Sequence, residues 1–154
     1  MAICFRIAVD SDIWNIYEWS NDKTTREMSF NSNTISESEH QIWFDKILFS
    51  EDCYLYIVED ALKNNQLGYV RLDQNGIVSI SIDKQFRGQG LGSIVLIEFI
   101  NFVKGISLHC NKFTALIKVK NTPSIKSFEK VGFTLKGHYR HEGEECLLYE
   151  YDLS

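Results

Sequence analysis

The chain has 154 residues, 44% hydrophobic and 24% charged, the size and composition of one folded domain rather than of a disordered or collagen-like polymer. Its formal net charge of −5 carries no basic excess, which argues against a nucleic-acid-binding face. Met1–Arg6 has neither the basic start nor the long apolar run of a secretory signal. The most apolar stretch, Leu91–Val103, is interrupted by Ser93, Glu98 and Asn101 and is too short to span a bilayer.

No linker, repeat or low-complexity tract divides the chain, so a single domain over 1–154 is expected. An opening strand at Cys4–Val9 runs into Asp10-Ser11, residues suited to cap an aromatic helix through Trp14, Tyr17 and Trp19. A polar stretch, Asn21–Asn33, follows without a predicted element. Ser36-Glu37-Ser38-Glu39 has the form of a capping box and opens a helix to about Phe49. Tyr54–Asp60, Gln66–Asp73 and Ile77–Asp83 read as strands in hairpin succession, joined at Lys63-Asn64-Asn65 and Asn75-Gly76. The pattern then changes: helix Gly90–Lys104, strand Phe113–Val119, helix Ser124–Val131, and two strands near Phe133–Tyr139 and Glu145–Leu153 around a turn at Glu142-Gly143. Antiparallel strands followed by a β-α-β-α-β-β half give an α+β, or mixed α/β, domain of about seven strands and about four helices.

Cys4, Cys53, Cys110 and Cys146 form no CxxC pair and no zinc-like spacing, and adjacent His109-Cys110 suits neither a chelate nor a nucleophile–base pair. They are expected as buried free thiols of a cytoplasmic protein without a metal.

The sharpest feature is the loop Asp83-Lys84-Gln85-Phe86-Arg87-Gly88-Gln89-Gly90-Leu91-Gly92-Ser93, between a strand and a helix. Glycines allow consecutive N–H groups to point into one concavity, and the helix N-terminus adds partial positive charge. With the Arg87 guanidinium alongside, the loop suits a diphosphate. A glycine turn that merely starts a helix would need one or two glycines, not three plus an arginine. The loop lacks the Gly-Lys-Ser/Thr of a nucleoside-triphosphate P-loop. Ser93 stands where a dinucleotide fingerprint has its third glycine, and the loop does not begin the first β-α-β unit.

The segment resembles motif A of the GNAT superfamily of N-acetyltransferases, Gln/Arg-x-x-Gly-x-Gly/Ala, at Arg87, Gly90 and Gly92. Asn121-Thr122-Pro123-Ser124 through Phe128-Glu129-Lys130-Val131-Gly132-Phe133 resembles its motif B, and the order of elements is similar. The resemblance implies a GNAT-like domain with a twisted, mostly antiparallel central sheet, using acetyl-CoA as co-substrate without a metal. It implies that the backbone around Ile80, Ile82 and Asp83 pairs with the pantetheine arm. Arg87, Gly88, Gln89, Gly90, Leu91, Gly92 and Ser93 would hold the pyrophosphate, and Asn121, Ser124, Ser127, Phe128 and Lys130 would lie along the CoA arm. Read without it, Phe128 is core and Lys130 a solvated helix-end charge.

An amine attacks a thioester only when neutral, so the site must take a proton, steady an oxyanion and protonate the leaving thiolate. In the family a backbone N–H on the fourth strand meets the oxyanion, here near Ser81 or Ile82, and a motif-B tyrosine often protonates the sulfur. This chain has Phe128 at that place, so Tyr139 is the substitute acid expected, with a solvated loop residue as the alternative. No carboxylate lies on the fourth strand; Ser79 and Ser81 could polarise water, and His40 and Asp73 are other proton acceptors.

Trp19-Ser20-Asn21-Asp22, Arg26, Ser29-Phe30, Ile35, His40, Trp43-Phe44, Leu48, Arg71 and Asp73 resemble the bacterial branch that acetylates nucleotide-carried amino sugars. On that resemblance Arg26, His40, Arg71 and Asp73 contact the acceptor and converge on one cavity. The negative net charge favours instead a cationic or neutral amine, such as a peptide N-terminus or a polyamine. A CoA-binding regulatory module without turnover is a third alternative. The expected partner is a small-molecule amine and, at most, a second copy of the chain.

Overall fold

The computed structural model describes residues 1–106, 108 and 110–154, so the reading of His109 lies outside the described residues. The elements are β1 (Ile3–Ile7), α1 (Ile13–Asn21), α2 (Lys23–Met28), α3 (Glu37–Leu48), β2 (Tyr54–Asp60), β3 (Asn65–Leu72), β4 (Val78–Ile82), α4 (Leu91–Lys104), β5 (Lys112–Lys118), α5 (Thr122–Val131), β6 (Thr134–His141) and β7 (Glu144–Asp152). Two antiparallel sheets result, ordered β1-β2-β3-β4 and β5-β7-β6.

The turns follow their residues. Asn64 and Gly76 adopt positive φ between β2, β3 and β4, and Glu142 (φ 51°) with Gly143 (φ 79°) form the tight β6–β7 turn. Ser36 caps α3 by accepting the Glu39 N–H at 3.1 Å. The first helix starts differently from the expected Asp10-Ser11 cap. A short 3-10 turn covers Asp10–Asp12, and buried Asp12 accepts the Val9 N–H and bonds from both terminal guanidinium nitrogens of Arg6, at 2.8 and 2.9 Å. The described residues hold five α-helices, one more than expected: α2 lies in the polar stretch assigned no element. All four cysteines are free, but only Cys146 is buried and Cys4 is exposed, contrary to the expectation for it. No helix among the described residues is long and apolar enough to cross a membrane.

Alternation along the strands divides the first sheet into two apolar faces. Leu55, Ile57 and Tyr69 meet Ile13, Ile16 and Trp19 of α1 and Phe44 and Ile47 of α3. Tyr56, Val58, Val70 and Leu72 meet Val95, Leu96, Phe99 and Val103 of α4. Each such side chain contributes about 1.5–3 kcal/mol by burial. The sheets themselves touch through one parallel bridge, Ile77 with Thr114, at the amino ends of β4 and β5. Beyond it no ladder joins the two strands among the described residues, so their carboxyl ends splay apart and open a cleft. Such a cleft, at the carboxyl ends of neighbouring parallel strands, is where open sheets bind ligands.

Candidate active site

Both helices that follow the splayed strands begin at the cleft. After β4 the chain makes a 3-10 turn (Lys84–Phe86), passes Arg87–Gly90 and enters α4. Gly88 (φ 77°) and Gly90 (φ 72°) are left-handed, a conformation that costs other residues about 1–2 kcal/mol. A Cβ at either would meet nothing within 4 Å, so their bare backbone faces open space at the α4 N-terminus. Gly92 serves packing: a Cβ there would stand 3.1 Å from Ser127 Oγ, where α4 and α5 run side by side. After β5, Asn121 caps α5 by accepting the Ser124 N–H at 3.3 Å, leaving its amide N–H groups for another partner.

The open edge of β4 has a definite pattern. The Asp83 N–H donates to Leu67 O on β3 at 2.8 Å, so the alternating backbone groups of Ser79 and Ser81 also face β3. Those of Ile80 and Ile82 face the cleft, in phase with Gly76, whose carbonyl accepts the Thr114 N–H at 2.8 Å. Of the two expected oxyanion donors, Ser81 therefore spends its N–H on β3, and Ile82 presents its own to the cleft. The Ser81 hydroxyl is buried with no hydrogen-bond partner among the described residues, on the face shared with Tyr69 and α1.

Several side chains stand away from their expected places. Arg87 does not aim its guanidinium at the glycine loop. Its Nε donates to Ile82 O at 3.0 Å, its Nη2 to Thr25 Oγ1 at 3.2 Å, and its Nη1 lies 2.8 Å from Asp22 Oδ2. Burial works against charge on Asp22, but the Arg87 bond and the Thr25 N–H hold its carboxyl below the ordinary carboxylate range. Asp83 accepts the Gln85 N–H and the Trp19 indole N–H, the latter at 2.9 Å, tying the end of β4 to α1. Leu91, Ser93 and Phe128 are buried, so the first two can offer the cleft only their backbone, and Phe128 packs edge-on against Phe133 at 4.8 Å. Lys130 is exposed in the last turn of α5, remote from that helix's N-terminus.

The expected acceptor residues do not converge. Arg26 donates to Ser20 O (2.7 Å), Asn31 O (2.9 Å), Asn33 O (3.4 Å) and Ser29 Oγ (3.0 Å), stapling the loop after α2. His40 is 1% exposed, ringed by Trp14, Tyr17, Trp43 and Phe44, and its Nε2 stands 2.7 Å from Ile13 O. A carbonyl can only accept, so Nε2 carries the proton; burial pushes the imidazole pKa below its ordinary value, against the pull of that bond. His40 is thus a neutral core residue rather than a proton acceptor. Asp73 accepts the N–H groups of Asn75 and Ile77 and shapes the β3–β4 turn. Arg71, half-buried on β3 opposite Ser79, has no ion-pair partner among the described residues. Tyr139 lies on β6, 39% exposed, in one row with Cys146 and Lys118, and burial followed by the Cys146 thiol raises its pKa.

Two residues given no role of their own by the sequence stand beside the cleft, at the last residue of β5 and at the start of α2. Lys118, the last residue of β5, is buried and donates to Glu27 O at 3.1 Å, with Glu144 Oε1 at 3.5 Å. Asp22 caps α2 through the Thr25 N–H at 3.2 Å. Asp22 is of a residue type suited to an N-cap, but no periodicity follows it, and nothing local marks a buried lysine at a strand end.

The family model for the acetyltransferase (GNAT) domain matches residues 3–134. An N-acetyltransferase 9-like protein of Nematostella vectensis is 31% identical over 77% of this chain and 67% of its own length. A Bacillus subtilis protein provisionally named phosphinothricin acetyltransferase is 28% identical over 71% of this chain and 69% of its own. Among solved structures, the spermidine N-acetyltransferase of Vibrio cholerae in complex with CoA and spermine superposes with a TM-score of 0.85 at 18% identity, covering 98% of this chain and 95% of that one. A provisionally named phosphinothricin N-acetyltransferase gives 0.80 at 25% identity, covering 99% of both chains.

Proposed function

We propose, from the premise that this chain belongs to the acetyltransferase (GNAT) domain family and is an N-acetyltransferase, that it acetylates the primary amine of a small molecule by direct transfer in a ternary complex. The observation that carries the reading is the β4–β5 cleft closed at one end by left-handed Gly88 and Gly90. Acetyl-CoA, when bound there, supplies an acyl carbon activated as a thioester.

The chain's own groups have separable roles in this reading. The N–H groups of Gly88 to Gly92, with the α4 dipole, bind the diphosphate. Ile80 offers N–H and C=O to an amide-bearing arm, and the Asn121 amide lies across from it at the head of α5. The Ile82 N–H steadies the oxyanion; one such donor contributes about 2.7–4 kcal/mol in a dry site. The amine loses its proton to water, since His40 is buried and neutral and Asp73 is occupied by its turn.

A small cationic or neutral amine is the acceptor supported best. One superposed structure is named for spermidine, a small polycationic amine, others of the similar proteins are named for phosphinothricin, a small amino acid, and the net charge of −5 attracts cations. A nucleotide-linked amino sugar would need a cationic cluster for its diphosphate. Arg26 and His40, two of its three expected members, spend their donors within the fold. The test is acetyl-CoA consumption, read by thiol release, over spermidine, phosphinothricin, peptide N-termini and nucleotide-linked amino sugars. Turnover on a small free amine is expected; turnover confined to peptides or amino sugars overturns this choice of acceptor.

A further inference from the structure

α2 lies across both lips of the cleft. At its N-terminal end Asp22 and Thr25 hold the Arg87 side chain, whose Nε is bonded to the last residue of β4, Ile82. At its C-terminal end the Glu27 carbonyl accepts the ammonium of Lys118, the last residue of β5. Beyond α2 the Phe30 ring meets His141 of β6 at 4.6 Å.

Apolar burial does not hold this helix in place. α2 is six residues long and none of them is buried, and a helix that short has no stability of its own in water. Besides the Arg26 bonds to Ser20 O and Asn31 O, what fixes it across the cleft is a charged clamp at each end: the Asp22–Arg87 ion pair and the Lys118 ammonium bonded to Glu27 O. The Lys118 side chain is 1% exposed. Burying an ammonium is unfavourable unless it is paired, and here it donates to the Glu27 carbonyl at the negative end of the α2 dipole and lies 3.5 Å from the Glu144 carboxylate. A buried charge spent on docking a six-residue surface helix to a strand end is otherwise unexplained by the core.

We propose that Asp22 and Lys118 are positioning residues that strap α2 across the cleft, forming the wall against which the acceptor amine meets the acetyl group and which keeps bulk water from it. The proposal rests on the acetyl-transfer reading of the cleft. Loss of either clamp frees α2 while the diphosphate site at Gly88–Gly90 stays in place. Water then reaches the thioester carbonyl: its oxygen bonds to the acyl carbon, the C–S bond breaks, and acetate, the CoA thiol and a proton are released.

Lys118→Met keeps the apolar stem and removes the ammonium; Asp22→Asn keeps the helix cap and removes the negative charge that pairs with Arg87. Amide hydrogen exchange over residues 23–30, CoA affinity by calorimetry, and acetyl-CoA hydrolysis without any acceptor are measured on both. The expected result is exchange and hydrolysis each faster by about ten-fold or more, with CoA affinity changed by less than about three-fold. Wild-type exchange and hydrolysis in both variants overturn the strap. If Lys118→Met does not fold, Asp22→Asn decides alone. CoA failing to bind the wild-type chain overturns the acetyl-transfer reading and the strap with it, whereas CoA binding with an unaltered α2 overturns the strap only.

Discussion

The backbone of Gly68 on β3 runs so close to Ser81 on β4 that a Cβ on Gly68 would stand 2.0 Å from the Ser81 carbonyl oxygen. Gly68 also has φ +153° and sits opposite Val58, where the β2–β3 register shifts. Any side chain there must push β4 away from β3, displacing the edge on which Ile80 and Ile82 face the cleft. Gly68→Ala is expected to lower stability by about 1–3 kcal/mol through overpacking and to weaken CoA binding as well. Urea unfolding and calorimetry on one preparation check both; wild-type values would show that β4 does not need this approach.

Gly90 and Gly92 are both motif glycines, yet the structure separates them. At Gly90 the surroundings are empty and φ is 72°, so Gly90→Val is strained by about 1–2 kcal/mol but clashes with nothing in the chain. The variant should fold and lose CoA binding, because the new side chain fills the space the diphosphate needs. Gly92→Ala meets Ser127 Oγ at 3.1 Å, a hydroxyl that can rotate aside, and should reduce CoA affinity much less. Equal losses in the two variants, measured by calorimetry, would mean that Gly90 has no special exposure to the ligand.

The strands and the glycine loop were legible in the sequence because their signals are local: alternation in Val78–Ile82, Asn75-Gly76 and Glu142-Gly143 turns, and glycines after a strand. α2 was not, since its residues bury nothing and so carry no periodicity. Where backbone decides the geometry, at Gly88, Gly90 and Ile82, the sequence pattern and the structure agree on exposed main-chain groups. The sequence is silent where a side chain's partner decides its role. Arg26, His40, Asp73 and Arg87 have the right chemistry for a site, and a sequence shows a hydrogen-bonding group without the partner it has already found. Asp22, Ile13 and Asn31, which claim three of them, lie 65, 27 and 5 positions away along the chain.

Tyr139 stands on β6, separated from β5 by the whole of β7. Two strand spacings place it about 10 Å from the lip of the cleft. Its pKa is raised, by burial first, so it keeps its proton at neutral pH, but distance limits what it can give to a thiolate between β4 and β5. A working general acid contributes about 10²–10⁴-fold. Tyr139→Phe is therefore expected to lower kcat by less than about ten-fold, with water protonating the sulfur. A fall of about a hundred-fold at unchanged CoA affinity would restore Tyr139 as the acid.

His40 makes stability depend on pH. Its folded pKa lies below the unfolded value of 6.5, because burial among Trp14, Tyr17, Trp43 and Phe44 penalises the charged ring and outweighs the bond to Ile13 O. Between the two values the unfolded chain binds the extra proton, so stability rises with pH there. The contribution is fully present above pH 6.5 and is lost as pH falls through the folded pKa. Tyr17 is the one titratable neighbour among those four rings, and its hydroxyl donates to Ile35 O. His40→Gln retains an N–H that can reach the Ile13 carbonyl but cannot titrate. Urea unfolding should show the wild type losing stability as pH falls below 6.5 and His40→Gln losing less over the same interval. Parallel profiles would mean that the buried imidazole is already charged in the folded state or is not desolvated.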